Sequence, residues 1–235
     1  VDIMITRAIE NRINIALAKK KAVTIMGPRQ VGKSTLADAI IPKDARILEI
    51  NGDNTDVQTM FINVDEAKMK VLIGNKNFLF VDEAQKIKNV GNMLKIVAEK
   101  FKDVKIIVTG SSAFKLAEAV NESLTGRKRE FRLYPLSFKE MADETSTLEE
   151  SRMIDHRLIY GYYPEVVTSP GDEKEVLKEL IDSYLYKDVM EENNIAKPDK
   201  LVKLVQALAF QIGSTVSANE LAGLVGIDAK TVERY

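Results

Sequence analysis

The 235-residue chain carries 34 Lys and Arg against 35 Asp and Glu, a net charge of −1, with no cysteine and one histidine. Disulfides, thiolate metal sites and a multi-histidine zinc site are excluded, and the balanced charge announces neither a nucleic-acid nor a membrane partner. No apolar run approaches the ~18 residues that cross a bilayer and no secretory leader shows, so a soluble cytoplasmic protein is expected.

The length suggests one large domain and a small one. Residues 3–20 predict an amphipathic helix, with Ile9, Ile13 and Leu17 four apart on one face. Arg7 lies among its polar positions. It reads either as a neighbour of a bound base or, with more weight, as a solvated side chain. Residues 22–26, Ala-Val-Thr-Ile-Met, form an apolar run with the character of a buried parallel strand. Gly27-Pro28-Arg29-Gln30-Val31-Gly32-Lys33-Ser34-Thr35 follows and fits the G-x-x-x-x-G-K-[ST] pattern of a phosphate-binding loop. Backbone N–H groups at a helix start lack internal partners and bind anions. Gly27 and Gly32 let the chain turn tightly. Lys33 supplies a point charge, and the Ser34 hydroxyl is a ligand for Mg²⁺. Pro42 ends the helix that follows.

A second strand is expected near residues 46–51, a helix over 57–73, and a buried strand at Phe78-Leu79-Phe80-Val81. That strand runs into Asp82-Glu83-Ala84-Gln85. An acid pair at the end of a buried strand fits a metal-holding carboxylate, Asp82, followed by a general base, Glu83. Residues 91–101 predict a helix and 105–108 a buried strand ending in Thr109-Gly110-Ser111-Ser112. Ser111 and Ser112 either orient an attacking water or cap the next helix. Arg127 opens a basic cluster with Lys128 and Arg129. It reads either as an arginine that stabilises transition-state charge, from its own chain or a neighbour's, or as part of a solvated face. A strand-like stretch follows at residues 130–133.

Beyond residue 137 no buried strand appears. Helical periodicity near 138–142, 149–160 and 174–189 predicts a small helical subdomain, in which His156 reads as an ordinary surface histidine. Residues 199–211 predict a further helix. Ser217 and Glu220 have capping-box spacing, Gly226 has a helix-ending place and Asp228 caps a second helix. The pair reads as a helix-turn-helix, equally suited to DNA or to packing, because its charges nearly balance. The chain stops inside that second helix, so a longer natural protein is expected.

These motifs together resemble one group. Gly-Pro-Arg-Gln-Val-Gly-Lys-Ser-Thr, Phe-Val-Asp-Glu-Ala-Gln, Val-Thr-Gly-Ser-Ser-Ala, Leu-Thr-Gly-Arg and Tyr-Pro-Leu-Ser-Phe-Lys-Glu are similar to the predicted AAA+-superfamily ATPases of bacteria and archaea that carry a C-terminal domain of unknown function. The resemblance continues through Tyr184-Leu185-Tyr186-Lys187-Asp188-Val189 and the helix-turn-helix. It implies an ATP-binding core with Mg²⁺, a helical lid, a winged-helix-like segment and a further C-terminal domain that is missing here. The group shows Gly-Gly-Tyr-Pro where this chain has Gly161-Tyr162-Tyr163-Pro164. In related ATPases a proline at such a spot abuts the adenine, which assigns Pro164 to the nucleotide, with Tyr162 as the departure.

The expected architecture is α/β: a P-loop NTPase parallel five-stranded sheet flanked by helices, a small helical lid and the start of a C-terminal helix-turn-helix. Its segments are 1–134 (ATPase core), 135–193 (lid) and 194–235 (helix-turn-helix, truncated). The expected function is Mg²⁺-dependent ATP hydrolysis coupled to motion of a C-terminal module, with self-association. The rivals are a nucleotide-gated DNA-binding regulator and a small-molecule kinase, the latter disfavoured because Glu83 would activate water. GTP is left open, since no base-specifying motif is evident.

Overall fold

The computed structural model describes residues 5–111, 124–182 and 198–234. These residues fall into two compact units, Val1–Pro170 and Gly171–Tyr235. In the first, the strands are β1 (Ala22–Met26), β2 (Ile47–Asn51), β3 (Phe78–Asp82), β4 (Lys105–Gly110) and β5 (Lys128–Arg132). They form one five-stranded sheet in the order β2-β3-β4-β1-β5, and every pairing is parallel. This is the expected doubly covered α/β sheet.

Alternation along each strand supplies two hydrophobic layers, because successive side chains point to opposite faces. Met26, Leu79, Val81, Ile106 and Val108 pack with Met69, Ile73, Met93, Leu94 and Val97. Those partners come from α4 (Glu66–Ile73) and α5 (Val90–Lys100). Val23, Ile25, Phe80 and Ile107 pack on the other face with Ile13, Leu17, Leu36 and Ile40. Those come from α1 (Glu10–Ala18) and α2 (Lys33–Ile40). The inner strand β1, between β4 and β5, is buried at all five positions. Edge strand β5 is buried only at Phe131, and its Lys128, Arg129 and Arg132 discourage pairing with another sheet.

Several expectations need correction. The helix expected over 57–73 is two, α3 (Thr55–Met60) and α4, because Asn54 and Asp65 each cap a start with their side chains. Likewise 149–160 divides into α7 (Thr147–Arg152) and α8 (Ile154–Tyr160), preceded by α6 (Phe138–Glu144) and followed by α9 (Pro164–Thr168). The second unit holds α10 (Glu173–Leu180), α11 (Pro198–Ala209), α12 (Ala218–Val225) and α13 (Ala229–Arg234). Leu204, Leu221 and Val225 form its small core. Gly226 is left-handed at the end of α12, and Asp228 caps α13 through the Thr231 N–H. The Ser217 capping box is absent: its side chain makes no cap bond, and only its carbonyl accepts, from the Leu221 N–H. A complete box sits instead at Ser137 and Glu140, at the start of α6. Residues 184–189, which extended the family resemblance, lie outside the described residues.

Candidate nucleotide site

The parallel register aligns the carboxyl ends of three strands. Met26 stands opposite Gly110, and Val81 opposite Val108, so Asp82 and Thr109 end adjacent strands side by side. In an open α/β sheet ligands bind at this edge. Gly32 caps α2 with φ 91, a conformation that a side chain disfavours, and Lys33 is the first residue of the helix. At Gly27 a Cβ would lie 2.3 Å from the Leu133 carbonyl oxygen, so only glycine fits there.

Lys33 is 6% exposed. Its Nζ donates to the carbonyls of Gly27 (3.0 Å) and Pro28 (2.9 Å) and lies 3.9 Å from Glu83 Oε1. Such burial of an ammonium requires nearby anionic or carbonyl oxygens. Ser34 Oγ donates to Asp82 Oδ2 at 3.0 Å. Both are hard oxygen donors, and neighbouring ligands on an octahedral Mg²⁺ with bonds of about 2.1 Å also stand about 3.0 Å apart. The pair therefore suits that ion. No group of three or more His, Cys, Asp or Glu side chains that could hold a metal ion occurs among the described residues.

Glu83 takes φ 47 and ψ 45. The left-handed region costs a residue with a Cβ about 1–2 kcal/mol, so its surroundings must hold it. Its N–H is shared between Asp82 Oδ1 (3.2 Å) and Thr109 Oγ1 (3.3 Å), and the Thr109 hydroxyl also donates to Asp82. Ser111 Oγ donates to Glu83 Oε2 at 3.1 Å, which brings one of the two candidate water-orienting serines to the acid pair. Ser112 lies outside the described residues.

Two cavities flank the loop. One, about 440 Å³, is lined by Arg29, Gln30, Lys33, Ser34, Glu83 and Pro164, among others. The other, about 580 Å³, is lined by Ile5, Leu36, Ile41, Pro42, Leu136 and Pro164, among others. Gly32, Thr35 and Pro164 border both. A polar cleft running into a more apolar one has the size and character of a site for a phosphorylated small molecule. Val31 is wholly buried and serves packing.

Arg7 and Arg127 depart from expectation. Arg7 is 8% exposed, not solvated. Its Nε donates to Glu140 Oε1 (3.0 Å), and its other nitrogens donate to the carbonyls of Val31 (3.0 Å) and Tyr134 (2.6 Å). It ties the segment before α1, the phosphate loop and the start of α6 together while bordering the larger cavity. Burial pushes the Glu140 carboxyl up, but N–H bonds from Ala8 and Ser137 and the Arg7 guanidinium hold it below its ordinary value. Arg127 sits at the opposite edge of the sheet: its carbonyl accepts from the Ala22 N–H and its guanidinium pairs with Glu99 at 2.8 Å. Roughly 15 Å of strand separates it from the loop of its own chain, so it does not serve that site in cis. Tyr162, where the resembling group has glycine, donates to the buried Glu150 at 2.9 Å, and Arg157 pairs with the same carboxylate.

Thr109 and Gln85 are contacts that sequence reasoning missed. Gln85 Nε2 donates to both Glu83 Oε2 (2.6 Å) and Ser111 Oγ (3.0 Å). The signal for Thr109 was its place at the end of a buried strand next to Ser111.

The chain is similar to several known proteins. An uncharacterized protein of Methanocaldococcus jannaschii is 27% identical over 93% of this chain and 53% of its own length. One of Haemophilus influenzae is 27% identical over 63% of this chain and 38% of its own length. The chain thus spans about half or less of these relatives. Among solved structures, the Aeropyrum pernix ORC1 protein in complex with DNA aligns with TM-score 0.49 and 10% identity, over 99% of this chain and 82% of that one. A model described as a domain of unknown function (DUF8612) matches residues 151–235. The model described as AAA domain matches residues 19–142, more than half of the chain and the whole of the loop, the acid pair and the sheet, so the chain belongs to the AAA domain family.

Proposed function

We propose that the chain binds Mg²⁺-ATP at the carboxyl edge of its sheet and hydrolyses it. The observation that carries this reading is the convergence of Lys33, the Ser34–Asp82 pair and Glu83 on one cleft, next to a second cavity of nucleoside size. The N–H groups of the loop and the start of α2 cradle the phosphates, and Lys33 neutralises their charge. Ser34 and Asp82 are the residues that would hold Mg²⁺, which when bound offsets charge on the phosphate oxygens. Glu83 accepts a proton from a water whose oxygen attacks the γ-phosphorus. The bond from that phosphorus to the β–γ bridging oxygen breaks, and ADP and inorganic phosphate leave. Pro164 and the apolar wall of the larger cavity take the base. Within the 135–193 segment, α6 to α9 act as the lid, and motion of the 194–235 segment is the output of turnover.

Steady-state phosphate release tests this. Glu83→Gln is expected to bind ATP and lose turnover, by 10²-fold or more on the order expected for a lost general base. Lys33→Ala is expected to lose binding. Retained turnover in Glu83→Gln would remove the base from the scheme.

A further inference from the structure

The side chain of Glu83 is fixed by a neighbour two residues along. The left-handed turn at Glu83 reverses the chain into a single 3-10 turn over Ala84–Lys86, which returns Gln85 toward the carboxylate. The turn is locked from β2. The Gly52 N–H donates to the Asp82 carbonyl at 2.8 Å, and a Cβ at Gly52 would lie 2.3 Å from the Glu83 carbonyl oxygen. Gln85 Nε2 then donates to Glu83 Oε2 and Ser111 Oγ, while Ser111 Oγ donates to that same Oε2. Glu83, Gln85 and Ser111 close a triangle of hydrogen bonds. Oε2 accepts from two donors, and Oε1 is left on the side of Lys33, 3.9 Å from its Nζ.

Gln85 Oε1 is buried without a hydrogen-bond partner. A buried amide oxygen left unpaired is unfavourable. The opposite orientation of the amide would be worse, since it would set that oxygen against the carboxylate. The donors therefore face Glu83 and Ser111.

We infer that Gln85 is a positioning residue for hydrolysis. Together with Ser111 it occupies Oε2 of Glu83 and presents Oε1 as the atom that takes the proton from water. Gln85 does not line the cleft and acts through Glu83. The inference rests on the hydrolysis reading above and adds to it which carboxylate oxygen works and what aims it.

The test is steady-state ATP hydrolysis and ATP binding by the full chain and by Gln85→Leu, Ser111→Ala and the double variant. Gln85→Leu removes the donors at similar volume. Its kcat is expected to fall about 10–100-fold, the scale of a misplaced catalytic group, with KM and ATP affinity within about two-fold. The double variant is expected to lose less than the product of the single losses, because either change already opens the triangle. Undiminished kcat in Gln85→Leu, or fully multiplicative losses, overturns the assignment while the ATPase reading stands. Absence of phosphate release by the wild-type chain overturns both. Should Gln85→Leu not fold, Gln85→Met, unbranched and equally without donors, carries the same expectation, and full turnover in it has the same adverse force.

Discussion

At the scale of single residues the site is a contest over where charge can be held without water. Lys33 is buried among carbonyl oxygens and Glu83, and Asp82 has Ser34 and Thr109 as donors. Thr109 is fully buried and serves both acids, since its hydroxyl also receives the Glu83 N–H. Thr109→Val keeps the shape and removes these bonds. Turnover is expected to drop about ten-fold or more, as for loss of a buried hydrogen bond to a charged group worth about 1.5–3 kcal/mol, with the melting temperature lowered only modestly. Unchanged phosphate release would show that the Asp82 and Glu83 geometry does not depend on it. Gly52→Ala has a different expected signature. Its new methyl meets backbone at Glu83, which cannot rotate away, so stability should fall by about 1–3 kcal/mol, seen as a melting temperature several degrees lower. The motif residues were legible from local order alone, because a phosphate cradle needs its glycines, lysine and serine at fixed spacing. Thr109 and Gln85 were not, because their roles come from the β3–β4 register and a strained turn, neither of which leaves a periodic trace.

At the scale of elements the strands were the most readable, since a strand covered on both faces is apolar throughout. Helices of the 135–170 region were less so. One periodic run, 149–160, holds two short helices because Ser146 caps the first and the second starts afresh after Met153. The join between elements was invisible: Arg7 and Glu140 lie 133 positions apart, and no local pattern announces their pairing. That pair gives a pH prediction. The Glu140 carboxyl is held below its ordinary value of 4.5 in the folded chain. It therefore contributes stability above that value, and the contribution disappears as pH falls through the folded one. Glu140→Gln leaves Arg7 buried without its anion and should cost about 3–5 kcal/mol near neutral pH. The melting-temperature gap between wild type and Glu140→Gln should narrow as pH falls from about 4.5 toward the lower folded value, and the folded wild-type carboxyl is neutral only below that lower value. A gap constant with pH would place the cost in packing rather than charge.

At the scale of the whole molecule charge is divided unevenly. Residues 171–235 carry eight Lys and Arg against twelve Asp and Glu. Tight binding of duplex DNA depends on neutralising phosphates, and an acidic segment opposes it. The chain is therefore expected to bind duplex DNA no tighter than the nonspecific range of about 10⁻⁴–10⁻⁶ M at physiological salt, read by fluorescence anisotropy. A nanomolar constant there would favour a DNA-reading role for the helix pair around Gly226. The two helices around Gly226 and the glycine turn between them were legible in the sequence. What they contact was not, since their capping and core residues serve either use equally.

The central claim is that one Mg²⁺-nucleotide is shared by Lys33, Ser34, Asp82 and Glu83. A crystal structure of Glu83→Gln with Mg²⁺ and ATP tests it most directly. The account predicts the γ-phosphate beside Lys33 and the metal beside Ser34 and Asp82. A nucleotide bound elsewhere, or phosphates out of reach of Lys33, would contradict it.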